Sequence, residues 1–273
     1  MDELIICVAP VPGEKQEEKF PGSLNVADEL IRAHDAGASI GHLHVRDENN
    51  LQTADTREFR RDLEGVHARC PLIIEGSTGG APEHRLEDRC VSFTVPGVEM
   101  GSLNLGSINL WDGVYSNRMA DIRFYAQQLK NHGVKPFMDC FDLSHFSALK
   151  WLEPQGLVAP PYVFGLVFDI PNALPYSDRY LGIFIDELPT KSVWFMARHH
   201  ARGATGFLHA LERGGHVRVG YEDGPFLSDG RRASTNAELV EEVTRAAERL
   251  GRKVVGPERA REILGLQGMK KAG

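Results

Sequence analysis

The chain has 273 residues, which exceeds most single domains but lies within the range of one α/β barrel. Hydrophobic residues make up 42% and charged residues 25%, a balance typical of a globular protein with a sizeable core. The net charge of −7 argues against a basic surface that would bind nucleic acids or anionic membranes, so neither is an expected partner.

The N-terminus and the cysteines favour a cytoplasmic location. An apolar run begins at Leu4 with no basic segment before it, so no signal peptide is expected. No apolar stretch approaches the ~18 residues that a membrane span requires. The four cysteines are far apart and form no CxxC pair, which predicts reduced and mostly buried thiols.

Short apolar runs rich in β-formers alternate with segments of helical period. The predicted strands are 4–10, 39–45, 71–77, 98–105, 135–141, 162–169, 192–197 and 215–221. The predicted helices are 26–37, 57–69, 118–132 and 235–250, with a short extra helix at 257–265. The helix at 235 opens on the Thr-x-x-Glu pattern of a capping box.

Units of about 34 residues favour an α/β fold, a single-domain (β/α)8 TIM barrel over residues 1–265, with a frayed tail at 266–273. An open, doubly wound sheet is the competing architecture. It is disfavoured because Val11-Pro12-Gly13-Glu14 follows the first strand, where a dinucleotide-binding sheet carries GxGxxG. Reactive polar residues also follow several different strands, as barrel enzymes require.

The sharpest chemical signal is the pair His42 and His44 late in the second strand. Residues i and i+2 of a strand point to the same side, so two imidazoles can chelate one ion, and histidine is a common zinc ligand. The alternative is a pair of structural histidines hydrogen-bonded near a strand end. The position of the pair, where the active face of a barrel would lie, favours the metal.

A catalytic zinc site typically has three protein ligands, and the end of the eighth strand offers Glu222 and Asp223. Arg218 shares a strand face with Glu222 by period-two counting. Strands two and eight both border strand one in a closed barrel, so their ends can meet in one pocket. The alternative is that Glu-Asp only begins a polar loop.

Other candidates follow the remaining strands. Ser77, Thr78 and Gly79 end strand three, where hydroxyl groups and glycine permit close approach to a carboxylate or phosphate, although this is also a common turn. The weaker candidates are Asn104 and Ser107 after strand four, Asp139, Asp142 and His145 near the end of strand five, and Glu14 after strand one.

The runs GASIGHLHVRD (37–47), STGG (77–80), EMGSLNLGSIN (99–109), FDLSH (141–145) and GGHVRVGYED (214–223), followed by TNAELVE (235–241), occur in the order found in one enzyme family. The chain resembles the β-keto acid cleavage enzymes, the family of the 3-keto-5-aminohexanoate cleavage enzyme. The resemblance spans nearly the whole chain.

The resemblance implies a TIM barrel, usually a homo-oligomer such as a dimer or tetramer, that binds Zn²⁺ through His42, His44 and Glu222. It implies that a β-keto acid and acetyl-CoA give acetoacetate and a new acyl-CoA, with Asp223 as the base steered by Arg218. It also implies that Ser77 binds or activates the substrate. Glu14 would face the variable end of the substrate, and Thr78, Gly79, Asn104 and Ser107 complete the expected substrate-binding set.

The chain departs from the family pattern at three places. Asp169-Ile170-Pro171-Asn172-Ala173 replaces a Gly-Gly after proline at the end of strand six, and Arg198-His199-His200 lies where a Gly-Ile-Gly-Arg turn is usual. Asp139 stands where a glutamate is usual. Two other hypotheses therefore stay open: a metal-dependent aldolase or hydrolase acting on a small keto acid without coenzyme A, and a non-catalytic binding protein. Manganese, cobalt or iron could replace zinc at a His₂Glu site.

Overall fold

The computed structural model describes residues 3–11, 24–79, 84–110 and 113–267. Eight parallel strands close into a barrel in which each strand pairs with the next one along the chain and the last pairs with the first. The strands are β1 Ile6–Val8, β2 Ile40–Leu43, β3 Ile73–Gly76, β4 Val98–Asn104, β5 Lys135–Cys140, β6 Tyr162–Phe168, β7 Ser192–Arg198 and β8 His216–Val219. The predicted single-domain TIM barrel is confirmed.

Each predicted strand overlaps one barrel strand. Several predicted strands are longer than the observed ones, and β7 extends one residue beyond its predicted end at 197. The segment predicted as a strand at 4–10 contributes to two sheets, since Glu3–Leu4 pairs in parallel with Lys253–Val254 outside the barrel and only Ile6–Val8 joins β2 and β8. A two-stranded antiparallel hairpin, Ile108–Leu110 with Gly113–Tyr115, follows β4 and was not predicted.

The eight α-helices of the described residues are α1 Val26–Asp35, α2 Arg57–His67, α3 Met119–His132, α4 Leu149–Leu152, α5 Asp178–Glu187, α6 Leu208–Glu212, α7 Asn236–Arg249 and α8 Pro257–Leu264. Five of the helices were predicted from the sequence, namely α1, α2, α3, α7 and α8, whereas α4, α5 and α6 were not. The Thr235 side chain caps α7 by accepting from the Glu238 backbone N–H, and Gly133 ends α3 in the left-handed conformation. Both positions agree with the predicted helix ends.

The core has two layers, one outside the barrel strands and one inside them. Alternate strand residues point outward, where they pack against the helices, or inward, where apolar side chains such as Ile5, Ile40, Ile73 and Phe137 fill the lower part of the barrel. Ala260 and Leu264 of α8 join this inner cluster. The carboxyl ends of the strands are thereby left as the face where polar side chains gather.

No helix among the described residues is both long and apolar enough to cross a membrane. Of the predicted tail at 266–273, residues 268–273 lie outside the described part of the chain.

Candidate active site

Two histidines of β2 and one glutamate after β8 meet inside the barrel mouth. His42 lies within β2 and His44 follows it, and their Nε2 atoms are 3.3 Å apart. The carboxylate of Glu222 lies 3.7 Å from His42 Nε2 and 3.4 Å from His44 Nε2. The sequence prediction that these three side chains converge is confirmed by this geometry.

The donor set fits a metal ion. One ligand atom from each of the three residues lies within 4.8 Å of the others, so one cation can contact all three. All three side chains are largely or fully buried, with exposed fractions of 3%, 9% and 12% for His42, His44 and Glu222. Two imidazoles with one carboxylate form a set found in catalytic zinc sites, which leave a further position open for substrate.

A tight turn brings the acidic pair to this point. Gly220 has φ +146°, and a Cβ on it would lie 2.1 Å from the carbonyl oxygen of Ala9, the residue after β1, so a side chain is excluded. The Asn236 side chain accepts from the Tyr221 backbone N–H at 2.9 Å. The turn is thus fixed on both sides, and the two residues that follow Tyr221 are directed into the barrel mouth.

Arg218 joins the two carboxylates of the turn. Its guanidinium donates to both oxygens of Asp223, at 3.0 and 2.9 Å, and to Glu222 Oε1 at 2.6 Å. Arg218 and Asp223 are both buried, so these charge-assisted hydrogen bonds form away from water. Such a bidentate contact fixes the orientation of the Asp223 carboxylate.

The local charges shift several pKa values. Burial raises the pKa of Glu222, but Arg218 and the two histidines outweigh burial and hold it well below its usual range. Burial lowers the pKa of His44, which favours the neutral imidazole that a metal needs as a ligand. Burial also raises the pKa of Asp139 to about 8, with the charge of Glu75 acting in the same direction.

The segment after β3 packs beside the histidines. A Cβ on Gly79 would lie 2.8 Å from His44 Cε1, so the imidazole occupies space that only glycine leaves free. Ser77 accepts from the Gly79 backbone N–H at 2.9 Å, and Thr78 is anchored by a backbone hydrogen bond of 2.8 Å to Ser102. Ser77, a predicted site residue, therefore has its hydroxyl group at the same end of the barrel as the proposed metal ligands.

Asn104 and Ser107 take part in local networks. Asn104 Nδ2 donates to Thr78 Oγ1 at 3.2 Å and to the Tyr115 hydroxyl at 3.1 Å. Ser107 Oγ accepts from the Asn117 backbone N–H at 2.7 Å, which fixes the loop after β4. Substrate contact by either residue stays a prediction.

Among the weaker candidates, Asp142 caps the 3₁₀ turn Leu143–Ala148 through the backbone N–H of Ser144. His145 lies within that turn and accepts from the Phe141 backbone N–H. Asp139 is buried at the end of β5. Glu14, predicted to face the substrate, lies outside the described residues.

The family model of beta-keto acid cleavage enzymes matches residues 3–266. The chain belongs to the β-keto acid cleavage enzyme family. Its predicted character as an enzyme that cleaves carbon–carbon bonds is thereby confirmed.

Relatives of this chain are named for several activities. The 3-keto-5-aminohexanoate cleavage enzyme of Fusobacterium nucleatum is 35% identical over 98% of this chain and 99% of the relative. The 3-oxoadipate:acetyl-CoA acetyltransferase of Cupriavidus necator is 31% identical over 87% of this chain and 84% of the relative.

Among solved structures, the ternary complex of ObcA with C4-CoA adduct and oxalate matches with a TM-score of 0.69 at 18% identity. The match covers 88% of this chain but 66% of the ObcA chain, so this chain spans slightly less than two thirds of that length. The likeness shows a shared barrel fold.

Two polar residues near the site were not predicted from the sequence. Glu75 of β3 is buried with Oε2 3.0 Å from His42 Nδ1, and Gln52 Nε2 lies 3.5 Å from His44 Nδ1. A single acid in an apolar strand and a loop glutamine carry no motif. Only the strand register, which pairs Glu75 with His42, could have indicated the first of them.

Proposed function

We propose that this chain exchanges acyl groups between a β-keto acid and acetyl-CoA, giving acetoacetate and a new acyl-CoA. The observation that carries the proposal is the junction of His42, His44 and Glu222 with the Arg218–Asp223 pair, all at the carboxyl ends of β2 and β8. The named activities of the relatives from Fusobacterium nucleatum and Cupriavidus necator support the reaction class.

In the proposal, His42, His44 and Glu222 hold a divalent metal, with zinc as the ion that this donor set favours. When bound, the metal supplies Lewis acidity for the keto and carboxylate oxygens of the substrate. Ser77, Thr78 and Gly79 border the same space and would position the substrate, with Asn104 supporting Thr78.

Asp223 is the proposed general base. A carboxylate that accepts two hydrogen bonds from a guanidinium is held in one orientation, so one oxygen lone pair can be directed at the substrate. Proton transfer by such a positioned group is typically worth roughly 10²–10⁴ in rate. Arg218 stays within hydrogen-bond reach and holds the carboxylate in that orientation.

In the proposed reaction, one carbon–carbon bond forms before another breaks. Asp223 removes a proton from C2 of the β-keto acid, and C2 forms a bond to the acetyl carbon of acetyl-CoA as the coenzyme A thiolate leaves. The thiolate then attacks the original keto carbon, the bond between that carbon and C2 breaks, and the electron pair returns to C2. Asp223 gives back the proton, and acetoacetate and the new acyl-CoA leave.

The test uses purified, zinc-replete protein with acetyl-CoA and a panel of β-keto acids whose distal groups are cationic, anionic, hydroxylated and apolar. Acetoacetate is measured directly. Formation of acetoacetate with one class of substrate, and its loss in His42→Ala, is expected. Absence of turnover with every member of the panel contradicts the proposal.

A second candidate function, cleavage of a small keto acid without coenzyme A, is favoured by the loops after β6 and β7. Arg198, the last residue of β7, forms a 2.7 Å ion pair with Asp169 and lies 3.9 Å from the centre of the Tyr176 ring. The loops after strands seven and eight form frequent phosphate sites in TIM barrels, and the arginine that precedes the first of them already has partners here. Calorimetric titration distinguishes the two functions, because binding of the keto acid without any binding of acetyl-CoA favours the second.

A further inference from the structure

Glu75 is a buried acid beside the proposed metal ligands. It lies in β3, directly opposite His42 in the parallel pairing of β2 with β3, and it is 1% exposed. Its strand neighbours Ile73 and Ile74 are apolar, and Ile73 belongs to the apolar cluster inside the barrel. A carboxyl group in such surroundings is unfavourable unless a partner compensates its lost contact with water.

The partner available to Glu75 is His42. Oε2 of Glu75 lies 3.0 Å from Nδ1 of His42, and the exposed fractions of the two side chains are 1% and 3%. Neither oxygen of Glu75 has an aligned hydrogen bond within the described chain, and the same holds for His42 Nδ1. Two buried polar groups therefore face each other at hydrogen-bond distance.

We infer that Glu75 is a positioning residue that keeps the proton of His42 on Nδ1 and so presents the lone pair of Nε2 to the metal. A carboxylate that accepts from the far nitrogen of a ligating histidine fixes its tautomer and ring orientation and increases its basicity. The inference rests on the proposed function for the presence of the metal, and it adds a residue that contributes no ligand atom.

The surroundings give Glu75 no comparable structural role. Asp139 is a second buried carboxylate whose charge acts on the same interior region, so the like charges oppose one another. A leucine at position 75 would continue the apolar run of β3. A buried carboxylate there needs a partner, and among the described residues the contact with His42 provides it.

The experiment measures zinc affinity by competition with a chromophoric chelator, in wild type, Glu75→Leu, Glu75→Gln and Asp139→Asn. Glu75→Leu is expected to weaken zinc binding about 10–100-fold, the range for loss of such an outer partner. Glu75→Gln can still accept from Nδ1–H through its amide oxygen and is expected to recover part of that loss. Asp139→Asn removes an equally buried carboxylate that does not contact His42, and its zinc affinity should stay close to that of the wild type.

Two further readouts separate positioning from folding. The visible absorption of the Co²⁺-loaded protein should change in Glu75→Leu and stay close to wild type in Asp139→Asn, since only the first alters the orientation of a ligand. The melting temperatures of the metal-free proteins are measured as well. Glu75→Leu leaves His42 Nδ1 without its acceptor and should melt below wild type but above the temperature of the zinc assay, so that a lost affinity does not reflect unfolding.

The outcomes distinguish this inference from the proposed function. If the wild type binds zinc and Glu75→Leu binds it equally well, the positioning role is overturned and the metal site stands. Equal losses in Glu75→Leu and Asp139→Asn also overturn it, because the effect would then reflect the total buried charge. If the wild type binds no zinc, cobalt or other divalent ion, the proposed metal site and the role of Glu75 fall together.

Discussion

Replacing Arg218 by methionine removes the one guanidinium that donates to both carboxylates of the β8 turn. The three hydrogen bonds lost are those of 3.0 and 2.9 Å to Asp223 and that of 2.6 Å to Glu222. Methionine fills much of the same space without a charge, so Asp223 is left as a buried carboxylate without its main partner. The backbone of β8 should be unaffected, since its pairing with β1 and β7 uses main-chain atoms.

Removing one partner of a buried ion pair typically costs about 3–5 kcal/mol. For a chain of this size that corresponds to a fall of roughly 6–20 °C in melting temperature. Arg198→Met is the matched control, because Arg198 pairs with Asp169 at a similar distance but the exposed fractions of the two side chains are 21% and 23%. Its more solvated ion pair should be worth about 1 kcal/mol or less, apart from its contact with Tyr176.

The loss should also depend on pH in a definite direction. Burial raises the pKa of Glu222, and Arg218 with the two histidines lowers it below the unfolded value, so the ionised group adds stability that is lost as the pH falls through the folded pKa. Without Arg218, burial raises the pKa of Glu222 with less opposition, so Glu222 is more readily protonated in the folded protein. The destabilisation by Arg218→Met should therefore be larger at about pH 8 than at about pH 5.

The assay is thermal unfolding followed by circular dichroism in a chelating buffer, so that metal binding does not contribute. The expected result is a large fall for Arg218→Met near pH 8, a smaller fall near pH 5 and a small fall for Arg198→Met at both. Equal melting temperatures of wild type and Arg218→Met at the higher pH would contradict the expected role of Arg218, as would a larger loss in acid.

Three further substitutions test the site and its support. Asp223→Asn should lower turnover by about 10²–10⁴ while elemental analysis finds unchanged metal content, and undiminished turnover would remove Asp223 as the base. Gly165→Ala would place a Cβ 2.3 Å from Asp139 Oδ1 and should cost roughly 1–3 kcal/mol in urea unfolding; wild-type stability would show that this layer is looser than described. Asn236→Ala removes the acceptor of the Tyr221 backbone N–H and should lower both stability, by about 1–3 kcal/mol, and turnover, so a stable and fully active variant contradicts its role in fixing the turn.

The parts of the fold with strong local patterns could be predicted from the sequence. The eight barrel strands are short apolar runs between turn residues, and α1, α2, α3 and α7 have clear helical period. The elements after β3, β5 and β7 could not be predicted, because they are short 3₁₀ turns or helices such as Asp88–Thr94 and Leu208–Glu212, too short to establish a period. Tertiary packing rather than local propensity determines them.

The same division holds at the site. His42 and His44 share a strand face by simple alternation, and the closure of the barrel predicts that Glu222 can reach them. Glu75 and Gln52 carry no motif, and their relation to the histidines depends on strand register and on the path of a loop. Residues that act through another side chain are therefore difficult to predict from a sequence pattern.

The proposed function depends on the claim that His42, His44 and Glu222 hold a metal that is used to cleave a β-keto acid. The decisive experiment is elemental analysis of purified wild type and His42→Ala, run beside the acetoacetate assay on the same samples. The expected result is about one divalent ion per chain in the wild type, with metal and turnover lost together in the variant. Equal metal content in the two proteins, or full turnover in metal-free wild type, would contradict the claim.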